Sequence, residues 1–521
     1  MASGSEQGTG KIKKYSMIRD LKQFTRGQYD VLVIGGGING AAIAHTAALN
    51  GLKTALLEKS DFAGGTSSKS TKLIHGGLRY LENLEFGLVR ESLKERFIQL
   101  KSSPHLVRKL KLVIPVYRSD KRPLWMMRLG VWVYDFLSRK YMIEKHHTLS
   151  AEEVCRLVPG IQRKGLMGGV TYSDCQMNDA RLCLENVLSA AEKGAHVANY
   201  VEARSLIQEN GKVVGVKAYD EISQAVFDVK AKKIVCAVGP WTNVFMNKES
   251  SQSPPQVRTT KGIHIIVKGR FSNDGILIPA QKDGRVFFII PWMENSLIGT
   301  TDTDFTHHPD EVSVQQEDVD YLVKEIKRVL PHADLNEDNI ITAFAGLRPL
   351  VHEQGSPSKI SRKHIIKTSY SGLIYVMGGK YTTYRKIAED VVRGLTKKTL
   401  VNTPDYFPVY GSGIIEEGAA AVGNKYGLAP EVIQQLMDFY GIRYRDVLSL
   451  IDKDATLKDP ICSCSLVIRA QILYAAEVEM ACKEEDIVTR RLMLGYNECQ
   501  TRKCRDVIHT MLLGLRGEKE L

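Results

Sequence analysis

Residues 30–60, DVLVIGGGINGAAIAHTAALNGLKTALLEKS, constrain the fold of this chain more than any other stretch. Residues 31–34 form an aliphatic, β-branched run of strand length, and residues 41–50 read as a helix that stops at Gly51. Between them, Gly35, Gly37 and Gly40 make a G-x-G-x-x-G turn, and a second strand over 53–57 delivers Glu58. Each part has a physical task. Gly35 permits the tight turn, Gly37 lets the backbone approach a pyrophosphate, and Gly40 lets the helix pack closely on the strand. The helix N-terminus offers N–H groups and a partial positive charge to that pyrophosphate. Glu58, about 20 residues on, is placed to accept hydrogen bonds from a ribose 2′-hydroxyl. A bare G-x-G-x-x-G is a weak signal. Strand, helix, second strand and terminal acid in order make it a Rossmann-like adenine-dinucleotide site.

The rest of the chain decides which dinucleotide. With 521 residues it can bury a large core and hold two or three domains. Its 71 Lys and Arg against 59 Asp and Glu give a net charge of +12, which suits an anionic substrate or anionic lipid. No nucleic-acid motif accompanies that charge, so no nucleic-acid partner is expected. Nine cysteines without a C-x-x-C argue against a secreted disulfide scaffold. Cys462, Cys464, Cys499 and Cys504 match no zinc spacing, and His307, His308, Asp302 and Asp304 lack the spacing and glycine of a metal loop, so no metal is expected. No segment approaches the roughly 18 uninterrupted apolar residues of a spanning helix; the nearest, 124–137, is interrupted by Arg128 and Asp135. Residues 1–28 read as a tail. Its basic stretch 11–26 is a poor mitochondrial presequence, because Glu6 and Asp20 are acidic.

Behind the nucleotide unit, residues 64–80 (GGTSSKSTKLIHGGLRY) are dense in small hydroxyl residues and glycine, as expected for a backbone close to a cofactor. A helix is expected over 84–101. Ser150 to Glu153 has the S-x-x-E capping form and marks a short helix ending before Pro159. Residues 179–193 read as a helix, 261–305 as strand-rich, and 317–330 and 383–397 as helices. Beyond about 400 the pattern becomes helical throughout, and a separate helical domain over 401–521 is expected. Only one nucleotide unit is present. That points to a bound FAD reduced directly by an organic substrate, rather than to a flavin reduced by a nicotinamide.

At this point the residues resemble a family: the FAD-dependent, quinone-linked glycerol-3-phosphate dehydrogenases, within the D-amino acid oxidase-like flavoenzymes. The resemblance runs from about residue 30 to 386. It rests on IGGGINGA (34–41), TSSKSTKLIHGGLRYLE (66–82), YSDCQMNDARL (172–182), VGPW (238–241), KGIHIIV (261–267), IIPW and IGTTD (289–302), GLRPL (346–350) and GGKYTTYRK (378–386). Val238 departs from the threonine usual in that block. The resemblance implies an α/β fold: a Rossmann-like FAD-binding domain over 29–400, interleaved with a mixed-sheet substrate domain drawn from about 109–160 and 261–345, then the α-helical C-terminal domain. It implies FAD held by Gly35, Gly37, Gly40 and Glu58, by Thr66, Ser67 and Ser68, and by Gly378, Gly379, Lys380, Tyr381 and Thr382.

The substrate implied is sn-glycerol 3-phosphate, oxidised to dihydroxyacetone phosphate by hydride transfer to FAD. Its phosphate calls for guanidinium forks, and Arg79 and Arg348 match family positions lining the site, with Tyr80 beside them. Arg348 and Lys380 suit stabilisation of alkoxide character at C2. His75 or His264 is the base, and the choice between them stays open. Taken alone, a histidine inside a strand such as GIHIIVKG is a hydrogen-bonded core residue, and the arginine of GLRPL an ion-pair partner. The resemblance further implies a membrane quinone as electron acceptor and a peripheral seat on the cytoplasmic or mitochondrial inner membrane; a homodimer is compatible with it. Arg490, Arg491 and the basic, apolar-faced stretch 503–516 suit an anionic interface. The competing activities are an oxygen-using glycerol-3-phosphate oxidase and an amine or amino-acid oxidase of the same fold.

Overall fold

The computed structural model describes Met17 and residues 19–249, 256–280, 286–351, 364–396, 399–401, 406–497 and 502–517. The strand Gln28–Ile34 is central to a parallel sheet, and it is buried on both faces, which is why its sequence is a near-continuous apolar run. It pairs in parallel with Thr54–Leu57 on one side and Val226–Cys236 on the other. His196–Ala198 and Leu373–Gly378 extend the sheet outward, also in parallel. Antiparallel strands at Val201–Glu209, Lys212–Asp220 and His364–Thr368 complete eight. The helix Ile38–Leu49 is apolar nearly all round, so it is buried, packed between the helices Asp179–Glu192 and Tyr384–Thr396.

A second sheet of ten strands is mostly antiparallel. Val107–Tyr117 pairs along its length with Leu166–Met177, and Val257–Val267 with Ile340–Val351. Gly275–Pro279 joins Val107–Tyr117 in parallel, so the sheet is mixed. The helix Gln316–Val329 seats Leu322, Ile326 and Val329 on one face of this sheet, against Ile263, Ile265 and Ile298.

Two expected boundaries change. The substrate sheet is larger than 109–160 and 261–345: it includes Leu73–Ile74, all of Leu166–Met177, and the strand end at Val351. Leu166–Met177 cannot stand elsewhere, because its ladder runs unbroken from Met177↔Val107 to Gly168↔Val116. Residues 17–28 are no tail where they are described. Phe24 packs with Tyr29 and Phe227 in the core, Arg19 pairs with Asp220, and the Met17 N–H donates to the Val478 carbonyl at 3.1 Å. The C-terminal helices have a core of their own around Ile461, Ile472, Ile487 and Ile508, and they also share one with the parallel sheet. Ile433, Leu436, Tyr440, Tyr444 and Tyr474 belong to the same apolar cluster as Val31, Ala41 and Leu182.

The expected anionic-interface residues of the C-terminus are used internally. Arg491 grips Asp61 with both terminal nitrogens at 2.7 and 2.9 Å, and Arg490 Nε reaches the same carboxylate at 2.6 Å. Burial opposes the charge on Asp61, but Arg491 and Arg490 hold its carboxyl down at about 2. In the helix Arg502–Gly517, Ile508 and Leu512 are buried, and Val507 and Met511 pack with them against Ile461, Ile472 and Ile487. That apolar face covers a core, not a lipid surface.

Replacing Asp61 with Ala should leave Arg491 buried without its bidentate partner. Breaking such a pair costs about 3–5 kcal/mol. A clear fall in the thermal unfolding midpoint is expected; an unchanged midpoint would show that the clamp holds nothing.

Candidate active site

The two sheets enclose a cavity of about 1070 Å³, at the upper end of what ligand sites span. Gly35, Gly37 and Glu58 line one part of it, and His75, Arg79, His264 and Arg348 another. The glycine turn has the geometry its spacing implies. Gly35 lies at φ +104°, and a Cβ there would meet the Ala237 carbonyl at 2.6 Å. A Cβ on Gly40 would sit 1.8 Å from the Gly35 carbonyl oxygen, so helix and turn touch backbone to backbone. Glu58 follows the strand Thr54–Leu57 and accepts from the N–H groups of Gly36 at 2.6 Å and Ser60 at 2.8 Å. Burial pushes its carboxyl above the usual value, and these two bonds work against that.

The serine-rich stretch closes over this turn. The Ile38 N–H donates to Ser67 Oγ at 2.8 Å, and the Thr66 hydroxyl donates to the Leu347 carbonyl at 2.7 Å, so both residues sit at the cavity wall. Ser68 is not on that wall; it is buried, and its carbonyl accepts from Lys72 Nζ at 3.2 Å. Gly40 is also off the wall and acts through packing. Gly378, Gly379, Lys380, Tyr381 and Thr382 all line the cavity where the strand Leu373–Gly378 ends. Thr382 Oγ1 accepts from the His75 N–H at 3.2 Å and donates to the His75 carbonyl at 3.3 Å, fixing the His-Gly-Gly turn. Asp174 Oδ1 takes the next N–H, that of Gly76, at 3.2 Å, together with Arg96 and the Tyr134 hydroxyl, each at 2.8 Å.

The remaining polar residues converge from three directions. The His75 ring stacks on Tyr80 at 6.5 Å, and Lys380 Nζ lies 3.9 Å over the Tyr80 ring while donating to Ser92 Oγ at 2.9 Å. His264 and Arg348 stand on the adjacent strands Val257–Val267 and Ile340–Val351. His264 is buried, stacked on Phe344 at 5.1 Å, with Nε2 2.9 Å from Thr71 Oγ1 and no protein partner at Nδ1. Burial first, then the charges of Arg348 and Lys72, hold its pKa well below the usual histidine value, so the ring is neutral. Arg348 Nη1 pairs with Asp302 at 3.1 Å, and Nη2 donates to Thr300 Oγ1 at 2.7 Å. It is therefore both an ion-pair partner and a cavity wall.

The sequence does not single out Thr71 and Asp174, and it offers Asp302 only as part of a rejected metal loop, although each orients a named site residue. Thr71 and Asp174 lie inside the recognised blocks, but nothing in local spacing pairs Thr71 with His264, 193 positions away. Lys59, Trp241 and Asp310 form a further wall: Lys59 Nζ lies 4.4 Å over the Trp241 ring and bonds Asp310 at 2.8 Å, and Trp241 Nε1 donates to the same Asp310 oxygen at 2.8 Å. Asp302 pairs with Arg348 and Asp304 with Arg258, so the two do not act as a metal pair. The cysteines differ. The sulfurs of Cys462, Cys464 and Cys504 lie within 4.8 Å of one another, against the expectation from spacing, while Cys499 falls outside the described residues.

The turn, the acid after the second strand and the long cavity fit an adenine dinucleotide. Residues 30–385 match the FAD dependent oxidoreductase family, and residues 403–512 match the C-terminal domain of alpha-glycerophosphate oxidase. The chain is thus an FAD-dependent oxidoreductase of the D-amino acid oxidase-like class. The glycerol-3-phosphate dehydrogenase of Synechocystis is 37% identical over 502 residues, covering 92% of this chain and 91% of that one. The mitochondrial glycerol-3-phosphate dehydrogenase of Rattus norvegicus is 36% identical over 506 residues, covering 91% and 68%. The crystal structure of glycerol-3-phosphate dehydrogenase from Bacillus halodurans complexed with FAD aligns with a TM-score of 0.76 at 28% identity, covering 95% of both chains. This chain belongs to the FAD-dependent glycerol-3-phosphate dehydrogenase family.

Two buried histidines make the folded state sensitive to acid. His45, inside the nucleotide-binding helix and packed on Phe407 at 4.5 Å, is lowered by burial to about 4, and His264 lies well below its usual value. In the unfolded chain both bind protons below about pH 6.5. Their contribution to stability is whole above that pH and is lost as the pH falls towards 4, by up to about 1.4 kcal/mol per pH unit for each. The thermal midpoint should drop between pH 7 and pH 5, and His45→Gln should make that drop shallower; equal drops would refute the assignment.

Proposed function

We propose that this chain oxidises sn-glycerol 3-phosphate at C2 to dihydroxyacetone phosphate and passes the electrons to a quinone held in a membrane. The observation that carries the reading is the meeting of Arg348 and His264, on neighbouring strands, in the same cavity as the FAD turn. FAD, when bound, supplies the two-electron acceptor for the hydride that leaves C2. Arg348 binds the phosphate or the developing C2 alkoxide through its planar fork, which Asp302 and Thr300 hold in one orientation. Arg79 and Lys380 add positive charge to the same wall, and Tyr80 seats the Lys380 ammonium. His264 is the first candidate to take the hydroxyl proton, its Nδ1 being enclosed but without a protein hydrogen-bond partner. Burial keeps the ring neutral, Thr71 fixes it through Nε2, and a bound dianion offsets the Arg348 charge that depresses its proton affinity. His75, held by Thr382 and stacked on Tyr80, is the second candidate.

The helix Leu124–Ser138 supports the choice of acceptor. Trp125, Leu129, Trp132 and Phe136 recur along one side of it and are 67%, 53%, 56% and 52% exposed, respectively. Arg128, Arg139 and Lys140 are exposed beside them, and the Arg139 guanidinium lies 4.7 Å over the Phe136 ring. An aromatic stripe with a basic surround is the pattern of a helix lying in an anionic lipid interface. Burying four such half-exposed side chains contributes on the order of 4 kcal/mol, enough for reversible attachment when basic residues assist. Met127 of the same helix lines the cavity, so an acceptor dissolved in lipid would meet the site beside its anchor. Among the described residues, no helix is long and apolar enough to cross a membrane.

Anaerobic sn-glycerol 3-phosphate should bleach the flavin absorbance, and a soluble quinone should restore it faster than oxygen does. Arg348→Ala should lower kcat/KM by about 100-fold or more. Bleaching by sarcosine or D-alanine without response to glycerol 3-phosphate would overturn the substrate, and faster restoration by oxygen with release of peroxide would overturn the acceptor.

Trp125→Ser with Trp132→Ser should release the protein from anionic phospholipid vesicles without altering turnover with a soluble quinone. Equal pelleting of variant and parent would remove the helix from the attachment.

A further inference from the structure

We propose that Cys462, Cys464 and Cys504 form a thiolate site for a soft metal centre, either a zinc ion or an iron–sulfur cluster, separate from the flavin cavity. Three sulfurs gather within 4.8 Å of one another, whereas the other described cysteines, Cys155, Cys175, Cys183, Cys236 and Cys482, join no such group. Cys464 Sγ lies 3.8 Å from Cys504 Sγ and 3.2 Å from Cys462 Sγ. A tetrahedral zinc with Zn–S bonds of about 2.3 Å places its sulfurs about 3.8 Å apart. One pair already has that spacing, and the other opens to it by a small rotation of an exposed side chain.

The backbone around the sulfurs is built to present them. Cys462 and Cys464 sit on a short loop closed at both ends: Pro460 bridges Ile468, the Ile461 N–H donates to the Val467 carbonyl at 3.0 Å, and the Arg469 N–H to the Asp459 carbonyl at 3.0 Å. Cys504 comes from the first turn of the helix Arg502–Gly517, where the helix dipole favours a thiolate. Cys504 is buried, Cys462 half-buried and Cys464 exposed, which gives the site a fixed floor and an open side for entry. The Ser465 hydroxyl lies 3.2 Å from Cys462 Sγ and can orient that ligand. Ile461, Val467 and Ile508 surround the cluster with apolar packing, which strengthens metal–thiolate bonding by excluding water. Soft sulfur donors select zinc or iron–sulfur centres over magnesium and calcium. The oppositely directed chemistry, a Cys462–Cys464 disulfide, would leave Cys504 out.

The test uses the full-length holoenzyme purified without oxygen or chelator. Zinc, iron and acid-labile sulfide are measured against FAD, first as isolated and then after incubation with zinc chloride or with ferrous iron and sulfide. About one centre per FAD is expected, zinc alone or iron with matching sulfide deciding its kind. Cys464→Ser, at an exposed position, should lose the metal while keeping its FAD content, with a thermal midpoint that falls to that of the metal-free parent; Cys504→Ser should lose it as well. The proposal is overturned if no metal is bound under any of these conditions, if Cys464→Ser retains the parent's metal content, or if the metal-free native protein carries a Cys462–Cys464 disulfide by mass.

Discussion

The buried ion pair between Lys72 and Asp179, 2.6 Å long with both side chains fully enclosed, joins four separate parts of the chain. Lys72 sits in the left-handed backbone region at φ 57°, within the serine-rich loop. Asp179 opens the helix Asp179–Glu192, and also accepts from the Ser70 hydroxyl at 2.7 Å and the Ala180 N–H at 2.9 Å. Around the ammonium stand the rings of Tyr496 at 4.9 Å, Trp292 at 5.1 Å and Phe344 at 5.8 Å, from the C-terminal segment and the antiparallel sheet. Burial alone would favour a neutral lysine. Asp179 and Tyr496 more than reverse this and raise its pKa. A pair this dry adds little net stability over an apolar replacement. What it specifies is position: the loop can lie only where the lysine meets its one carboxylate.

A second carboxylate five residues earlier does the same for the other end of that loop. Asp174, near the end of the strand Leu166–Met177, holds Gly76 beside His75, while Asp179, just past that strand, holds Ser70 and Lys72. One strand-to-helix junction therefore clamps the whole stretch from the FAD turn to the substrate end. This accounts for the joint presence of the blocks at 66–82 and 172–182: the second is the mount for the first. The same junction explains why the substrate sheet reaches into Leu166–Met177. A strand that carries one clamp and leads into the other lies beside the cavity, and its Tyr172 is part of the wall.

Signals confined to a few residues were legible in the sequence. The glycine turn and the Ser150–Glu153 capping box with its bonds at 2.8 and 3.2 Å both stand where pattern placed them. The blocks named from the sequence line one cavity, apart from Gly40, which packs under the turn, and Ser68, which is buried although Ser67 and Lys69 on either side of it reach the wall. Pairings across long separations were not. Arg490 and Arg491 look like interfacial charges until Asp61, 430 positions from Arg491, is brought against them. The helix Arg502–Gly517 and the helix Leu124–Ser138 are both amphipathic with basic neighbours. Which apolar face is covered depends on whether another element packs there, and periodicity carries no information about that partner. The cysteines illustrate the same limit: two lie on a loop and one on a helix 40 residues on, a spacing without a familiar signature.

The helix Leu124–Ser138 ties the proposed lipid face to the chemistry through few and rigid links. Its exposed side carries Trp132 and Phe136, stacked at 6.0 Å, while its inner side carries Tyr134, which is fully buried. The Tyr134 hydroxyl donates to Asp174, the carboxylate that also receives Arg96 and the N–H of Gly76. Its phenol is pushed well above the usual value by burial and by the Asp174 charge, so it stays a donor at any physiological pH. Shifting the helix would break a buried, charge-assisted network, at a cost of several kcal/mol. Contact with lipid asks for no such shift, because Trp125, Leu129, Trp132 and Phe136 are already exposed. The helix should then meet a membrane without moving, with its aromatic stripe already set at a fixed distance from the His75 turn.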